Sequence, residues 1–147
     1  GAVAGAGFSI ALACDFRIGN KNSFFISNYS RIGLSGDYGI SFFLTRLLGE
    51  SKAQEIMFFN KRIYADEAYN YGLLNFLYKT NFEKKTKEMF EEIISLSPIA
   101  LAKIKENVKL ASYGNLQKSL QLEAKNLIDC TYSKEHKKAV KNFIKKK

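Results

Sequence analysis

The 147 residues suffice for one domain with a real core, and an apolar content of 46% with 14% aromatics excludes a disordered chain. The net charge of +9 is uneven: residues 1–60 hold five cations against four anions, a net of +1, and the other +8 falls in the lysine-rich remainder. Such a field draws anions, whether nucleic acid, an acidic membrane surface or a phosphorylated ligand, and it equally describes a solvated helix face.

The chain opens at Gly1 inside an apolar run that reaches Cys14. That run has no basic lead and falls short of the roughly 20 residues a membrane span takes. Neither a signal peptide nor a membrane anchor is therefore expected, and a boundary inside a folded domain accounts for the opening. Within the run, Gly5-Ala6-Gly7 predicts a tight turn leading into a short helix through Ala13. Phe16 to Ile18 and Ser23 to Ile26 read as short strands, and Gly33 to Asp37 as a loop. A helix follows from about Tyr38 to Leu48, because Ile40, Phe43, Leu44, Leu47 and Leu48 recur at the spacing of one buried helical face. Gly49 closes it.

A second helix is expected over Ser51 to Phe59, an extended piece over Arg62 to Tyr64, a short helix from Ala65 to Tyr71 stopped by Gly72, and a strand from Leu73 to Tyr78. Residues 79–147 read as helix throughout. Ser97-Pro98 is a cap followed by proline at the first helical position. Gly114-Asn115 closes one helix and caps the next, and Ser133 caps the last. That final helix carries an apolar stripe of Ala139, Val140, Phe143 and Ile144 among lysines, which needs cover from its own core or a neighbouring subunit. The reading divides the chain at residues 1–78 and 79–147.

Cys14 and Cys130 lie far apart, the one histidine is His136, and no metal-ligand spacing occurs. Free thiols in a reducing, cytoplasmic compartment fit this usage. Cys14 reads as a core residue and His136 as a surface residue.

Two stretches could carry chemistry. Gly5-Ala6-Gly7 before an apolar helix lets a ligand approach the backbone, with unpaired N–H groups and a positive dipole end facing it. That suits an oxygen developing negative charge, and it also suits a plain packing turn. In Gly36-Asp37-Tyr38-Gly39, one carboxylate sits between glycines before an apolar helix. It serves either as a helix N-cap or as a general base in apolar surroundings.

The run from Gly1 through Asp15, with its glycine turn, small-residue helix and Cys14-Asp15 pair, resembles the enoyl-CoA hydratase/isomerase (crotonase) superfamily. So do Phe25, Ile32-Gly33-Leu34, Asp37-Tyr38-Gly39, Leu44 to Gly49, Ala53, Ala65 to Ala68 and Gly72 to Asn75, in order and spacing. The resemblance covers nearly the whole chain and is to the family's C-terminal portion, with an isomerase-like site pattern. It implies an α/β, crotonase-like ββα spiral, here partial, followed by an α-helical trimerisation region. Homotrimers or homohexamers are expected, with an acyl-CoA thioester as substrate and no metal or redox cofactor.

The resemblance also assigns roles. In the family two backbone N–H groups grip the thioester oxygen; Ala6, between Gly5 and Gly7, would supply one, and the other would come from a loop this chain lacks. Hydratases of the family use two glutamates, and the matching positions here are Ser9 and Tyr29, neither of which is a carboxylate acid or base. Isomerase-type members often place an acid where Asp37 stands. The expected reaction is therefore a double-bond shift through an enolate, with Asp37 as acid/base and Ser9, Tyr29, Leu34 and Gly36 lining the substrate. Hydration, with water activated by Asp37 or by groups elsewhere, is the alternative. Some dehalogenases of the family use an aspartate in this loop as nucleophile. Phe143 and Lys146 are expected to meet coenzyme A. A non-catalytic or RNA-binding protein on the same scaffold is a further alternative, against which stands the lack of an RNA-recognition motif or aromatic-rich basic stripe.

Overall fold

The computed structural model describes residues 1–145. The chain forms two compact units, one over Gly1–Thr86 and one beginning at Lys87.

In the first unit the opening run does more than lead into a helix. Ala2–Ala4 is a strand, β1, ahead of the helix α1, Ala6–Ala13. Gly5 makes the switch between them with φ 50° and ψ −125°, a conformation that side chains disfavour. Ile18–Gly19 forms β2 and Phe24–Ile26 forms β3. β1 pairs with β3 in parallel, Ala4 opposite Ile26, and the Gly5 N–H extends the ladder by donating to the Ile26 carbonyl at 3.1 Å. Ile63–Tyr64, β4, adds to β3 in antiparallel. Phe76–Leu77, β5, pairs in parallel with β2.

The expected strand at 16–18 is displaced because the backbone of Arg17 is engaged with Asn75 instead. The Arg17 N–H donates to Asn75 Oδ1 at 2.9 Å, and the Arg17 carbonyl accepts from the Asn75 N–H at 2.9 Å. The expected strand at 73–78 shortens for a similar reason. The N–H groups of Leu73 and Leu74 both donate to the Ala68 carbonyl, closing off the helix α4, Ala65–Asn70.

The long apolar-faced helix, α2, runs over Ile40–Leu48 and ends at Gly49. It starts two residues later than the periodicity predicts, because Tyr38 (φ 46°) and Gly39 (φ 80°) are both left-handed and cannot join it. α3, Glu50–Phe59, follows directly. The core gathers Phe8, Leu12, Phe25, Ile40, Leu44 and Ile56, with the rings of Phe8 and Phe25 tilted at a centroid distance of 5.1 Å. Two expectations are corrected here. Leu47 is 41% exposed while Leu44 is 0% exposed, so the buried face of α2 is narrower than its apolar stripe. Cys14 is exposed rather than part of the core, since α1 has ended at Ala13 and its flank faces outward.

The second unit is helical, as expected. α5 spans Phe82–Ser95 across the boundary between units, and α6, α7 and α8 span Pro98–Ala111, Leu116–Thr131 and Lys134–Lys145. The caps act as the sequence predicts: Ser97 Oγ accepts from the Ala100 N–H, Asn115 Oδ1 from Lys118 and Ser133 Oγ from His136. Among the described residues from Lys87 onward only Asn126 is buried, and its Nδ2 donates to Asn107 Oδ1 at 2.6 Å between α7 and α6. Val140, Phe143 and Ile144 are exposed, so the stripe on α8 is not covered by a core of its own. His136 is exposed.

The narrow buried face of α2 gives a direct test. Leu44→Ala should destabilise the chain by about 2–5 kcal/mol, the usual cost of emptying a core leucine site. Leu47→Ala, on the same apolar stripe, should cost under about 1 kcal/mol. Urea unfolding of the two variants measures both.

Candidate active site

The site is built on the sheet. β1 ends in the Gly5 turn and β3 runs on through Ser27 to Tyr29, so the parallel ladder sets the two segments side by side. At the turn, the Gly5 carbonyl accepts from the N–H groups of Phe8 (2.9 Å) and Ser9 (3.2 Å), which starts α1. The N–H groups of Ala6 and Gly7 have no acceptor among the described residues. They are the free donors of a helix N-terminus.

One turn along α1, Ser9 is fully buried, with its Oγ 3.5 Å from the Gly5 carbonyl oxygen and 3.3 Å from the Tyr29 hydroxyl. Tyr29 is buried with the core, and its hydroxyl donates to Asp37 Oδ1. Ser9, Tyr29 and Asp37 thus form one hydrogen-bonded row that begins at the Gly5 turn. The N-cap role for Asp37 is not realised. The cap residue of α2 is Gly39, without a side-chain bond, and Asp37 contributes there only its carbonyl, which accepts from the Ile40 N–H at 3.1 Å.

The loop itself is shaped by backbone. Ser30–Ile32 forms a 3₁₀ turn capped by Tyr29, and the N–H groups of Ile32 and Leu34 both donate to the Tyr29 carbonyl at 3.0 Å. Gly36 has φ 112°, and a Cβ there would stand 2.8 Å from Ile40 Cγ2 and 3.2 Å from Met57 Cε. Asp37 and Leu34 are both exposed, so the expected apolar enclosure of the carboxylate is not supplied by these residues. Gly5, Ala6, Ser9, Tyr29 and Asp37 are brought together. Phe143 is exposed on α8 in the second unit, and Lys146 lies outside the described residues.

Three features escaped the sequence reading. Ser27 is fully buried, and its Oγ has no hydrogen-bond partner among the described residues. Its carbonyl lies 3.9 Å from where a Cβ on Gly5 would sit. The Tyr29–Asp37 bond was equally hidden, because eight residues of irregular loop carry no period that signals contact. The left-handed Tyr38 offered no cue either. The described residues contain no cluster of potential metal ligands and no helix long and apolar enough to cross a membrane.

This arrangement, a parallel strand pair feeding a glycine turn with free N–H groups, occurs in a crotonase-like fold. The solved enoyl-CoA hydratase from Polaromonas sp. JS666 is similar over 100% of this chain and 58% of its own, with a TM-score of 0.92 and 34% identity. Residues 1–147 match the enoyl-CoA hydratase/isomerase family, and the chain belongs to it. Among curated relatives, the short-chain-enoyl-CoA hydratase of Clostridium acetobutylicum is 29% identical over 97% of the chain and 55% of the relative. The trans-2-decenoyl-[acyl-carrier-protein] isomerase of Streptococcus mutans is 29% identical over 100% of the chain and 56% of the relative. The chain thus spans slightly more than half the length of these relatives.

Burial first, and then the hydrogen bond to Asp37, push the Tyr29 phenol above its ordinary range. Tyr71 is raised too, by its bond to Glu67 and then by burial. The folded chain holds these protons more tightly than the unfolded chain does. Their stabilisation is therefore complete below the ordinary phenol value of about 10 and is lost as pH climbs through the folded values. The urea midpoint should fall from pH 9 to pH 11.5, and Tyr29→Phe should flatten that fall.

Proposed function

We propose that this chain carries the proton-transfer part of an acyl-CoA isomerase site, moving a double bond in an enoyl-CoA through an enolate. The observation that carries the reading is the placement of Asp37. It is the carboxylate joined through Tyr29 and Ser9 to the turn whose Ala6 and Gly7 N–H groups are free. A thioester oxygen seated on the Ala6 N–H would gain charge as Asp37 removes a proton from the acyl chain. The same carboxyl would return the proton two carbons away. The positions of Ser9 and Tyr29 bear hydroxyls, which orient but do not serve as a glutamate pair. That favours isomerisation over hydration, although a hydratase and an isomerase are equally distant relatives.

On this reading a second oxyanion donor comes from outside these residues, and the thioester is substrate, with no metal or redox cofactor taking part. Leu34 and Gly36 would border the acyl chain. Phe143 and Lys146 would meet coenzyme A in a homotrimer or homohexamer, whose assembly would cover the exposed apolar faces of the second unit. A cytoplasmic location and indifference to nucleic acid and membranes accompany the reading.

In the complete protein, Asp37→Asn should lower kcat/KM for double-bond shift by about 10²–10⁴, the usual weight of a positioned acid/base, while acyl-CoA binding persists. Parallel assays of double-bond shift and water addition decide between the readings. Water addition that survives Asp37→Asn, without any double-bond shift, would make the protein a hydratase.

A further inference from the structure

We propose that Tyr29 is a positioning residue for Asp37, holding Oδ1 on the buried side so that Oδ2 alone handles the substrate proton, with Ser9 as its anchor. The inference rests on Asp37 being the acid/base and concerns what keeps that carboxylate in place.

Asp37 sits in a poor position to hold itself. It is exposed, and its neighbours Gly36, Tyr38 and Gly39 are all left-handed, at φ 112°, 46° and 80°. A general base must stay within hydrogen-bond reach of the proton it takes, and an exposed aspartate on a loop samples several rotamers. Its side-chain hydrogen bond within the described residues is to Tyr29.

Tyr29 is suited to fix it. The ring is buried among the core residues, so the hydroxyl has little freedom. The same residue also holds the loop by its backbone, through the carbonyl that accepts from Ile32 and Leu34. A Cβ on Gly36 would stand 3.9 Å from Tyr29 Cδ2, so the loop backs onto the ring as well.

Proton counting sets the direction of the row. An ionised carboxylate only accepts and a phenol has one proton, so Tyr29 donates to Asp37. Ser9 has one proton to share between two acceptors, the Tyr29 oxygen at 3.3 Å and the Gly5 carbonyl at 3.5 Å. The share given to Tyr29 polarises the phenol toward Asp37. Oδ1 is occupied, and Oδ2 is the oxygen left for chemistry. In the step it performs, the substrate C–H bond breaks and an Oδ2–H bond forms, while the electron pair passes to the thioester oxygen. The reverse transfer delivers the proton to the farther carbon, and no other reactant is consumed.

The test uses the complete protein and steady-state double-bond shift of an enoyl-CoA. Tyr29→Phe keeps the ring and removes the hydroxyl. It should lower kcat by about 10- to 100-fold, the cost of a misplaced group, with KM moving less than about threefold. It should cause no further loss in an Asp37→Asn background. Ser9→Ala should lower kcat less, and not at all once Tyr29 is phenylalanine.

An unchanged kcat in Tyr29→Phe beside an inactive Asp37→Asn overturns the positioning role and leaves the acid/base reading intact. A full multiplicative loss for Tyr29→Phe on top of Asp37→Asn also overturns it, since Tyr29 would then act by another route. An active Asp37→Asn removes the reading underneath. If Tyr29→Phe does not fold, Ser9→Ala alone must lower kcat at constant KM, and an unchanged kcat there overturns the proposal.

Discussion

The parallel register that sets Ala4 beside Ile26 is the constraint on which the site rests. From that pair each strand continues into a segment of the candidate site. One goes through Gly5 into α1, where Ser9 lies a turn along; the other goes through Ser27 to Tyr29. The Gly5 N–H remains in the ladder, which holds the turn at the sheet edge and leaves the next two N–H groups free. A slip of one residue would reverse which side chains face the core and would separate Ser9 from Tyr29. Sites at the carboxyl ends of parallel strands follow this logic generally, because both strands release their chains on the same side.

The second requirement is that a loop carboxylate be tied to something rigid. Loops give exposure, and exposure gives access, but neither gives a fixed position. Here the rigidity is borrowed from the core through one phenol. The tyrosine belongs to the packed interior by its ring and to the site by its hydroxyl, which is how an amphipathic aromatic commonly joins the two. The left-handed residues around Asp37 then aim the loop back over that ring. Backbone geometry and side-chain bonding act on the same residue, so neither alone accounts for where Asp37 stands.

The second unit follows a different principle. Its helices are well capped and show apolar stripes, yet among the described residues the one it buries is an asparagine, paired with another across α6 and α7. This pair favours one pairing of the helices over shifted ones, because a slip would strand the buried Asn126 Nδ2 beside an Oδ1 that already has no partner among the described residues. The apolar surface of these helices is largely exposed within the chain.

Much of this molecule was readable from local chemistry. Turn glycines, serine and asparagine caps and the 3.6-residue period of α2 placed most helices, since those signals act within a few residues of one another. The motif order pointed to the family, and the carboxylate at Asp37 stood out between glycines. What the chain alone did not disclose depended on partners distant in sequence. β1 exists because β3 lies beside it, and β5 is short because Ala68 takes the Leu73 and Leu74 N–H groups. Leu47 and Cys14 are exposed because nothing else in the unit covers them. The Asp37 side chain does not cap α2 but bonds Tyr29, eight residues away across an irregular loop. Short-range preferences settle most of the helices; packing decides which strands form and which polar atoms meet, because those meetings are fixed by three-dimensional distance.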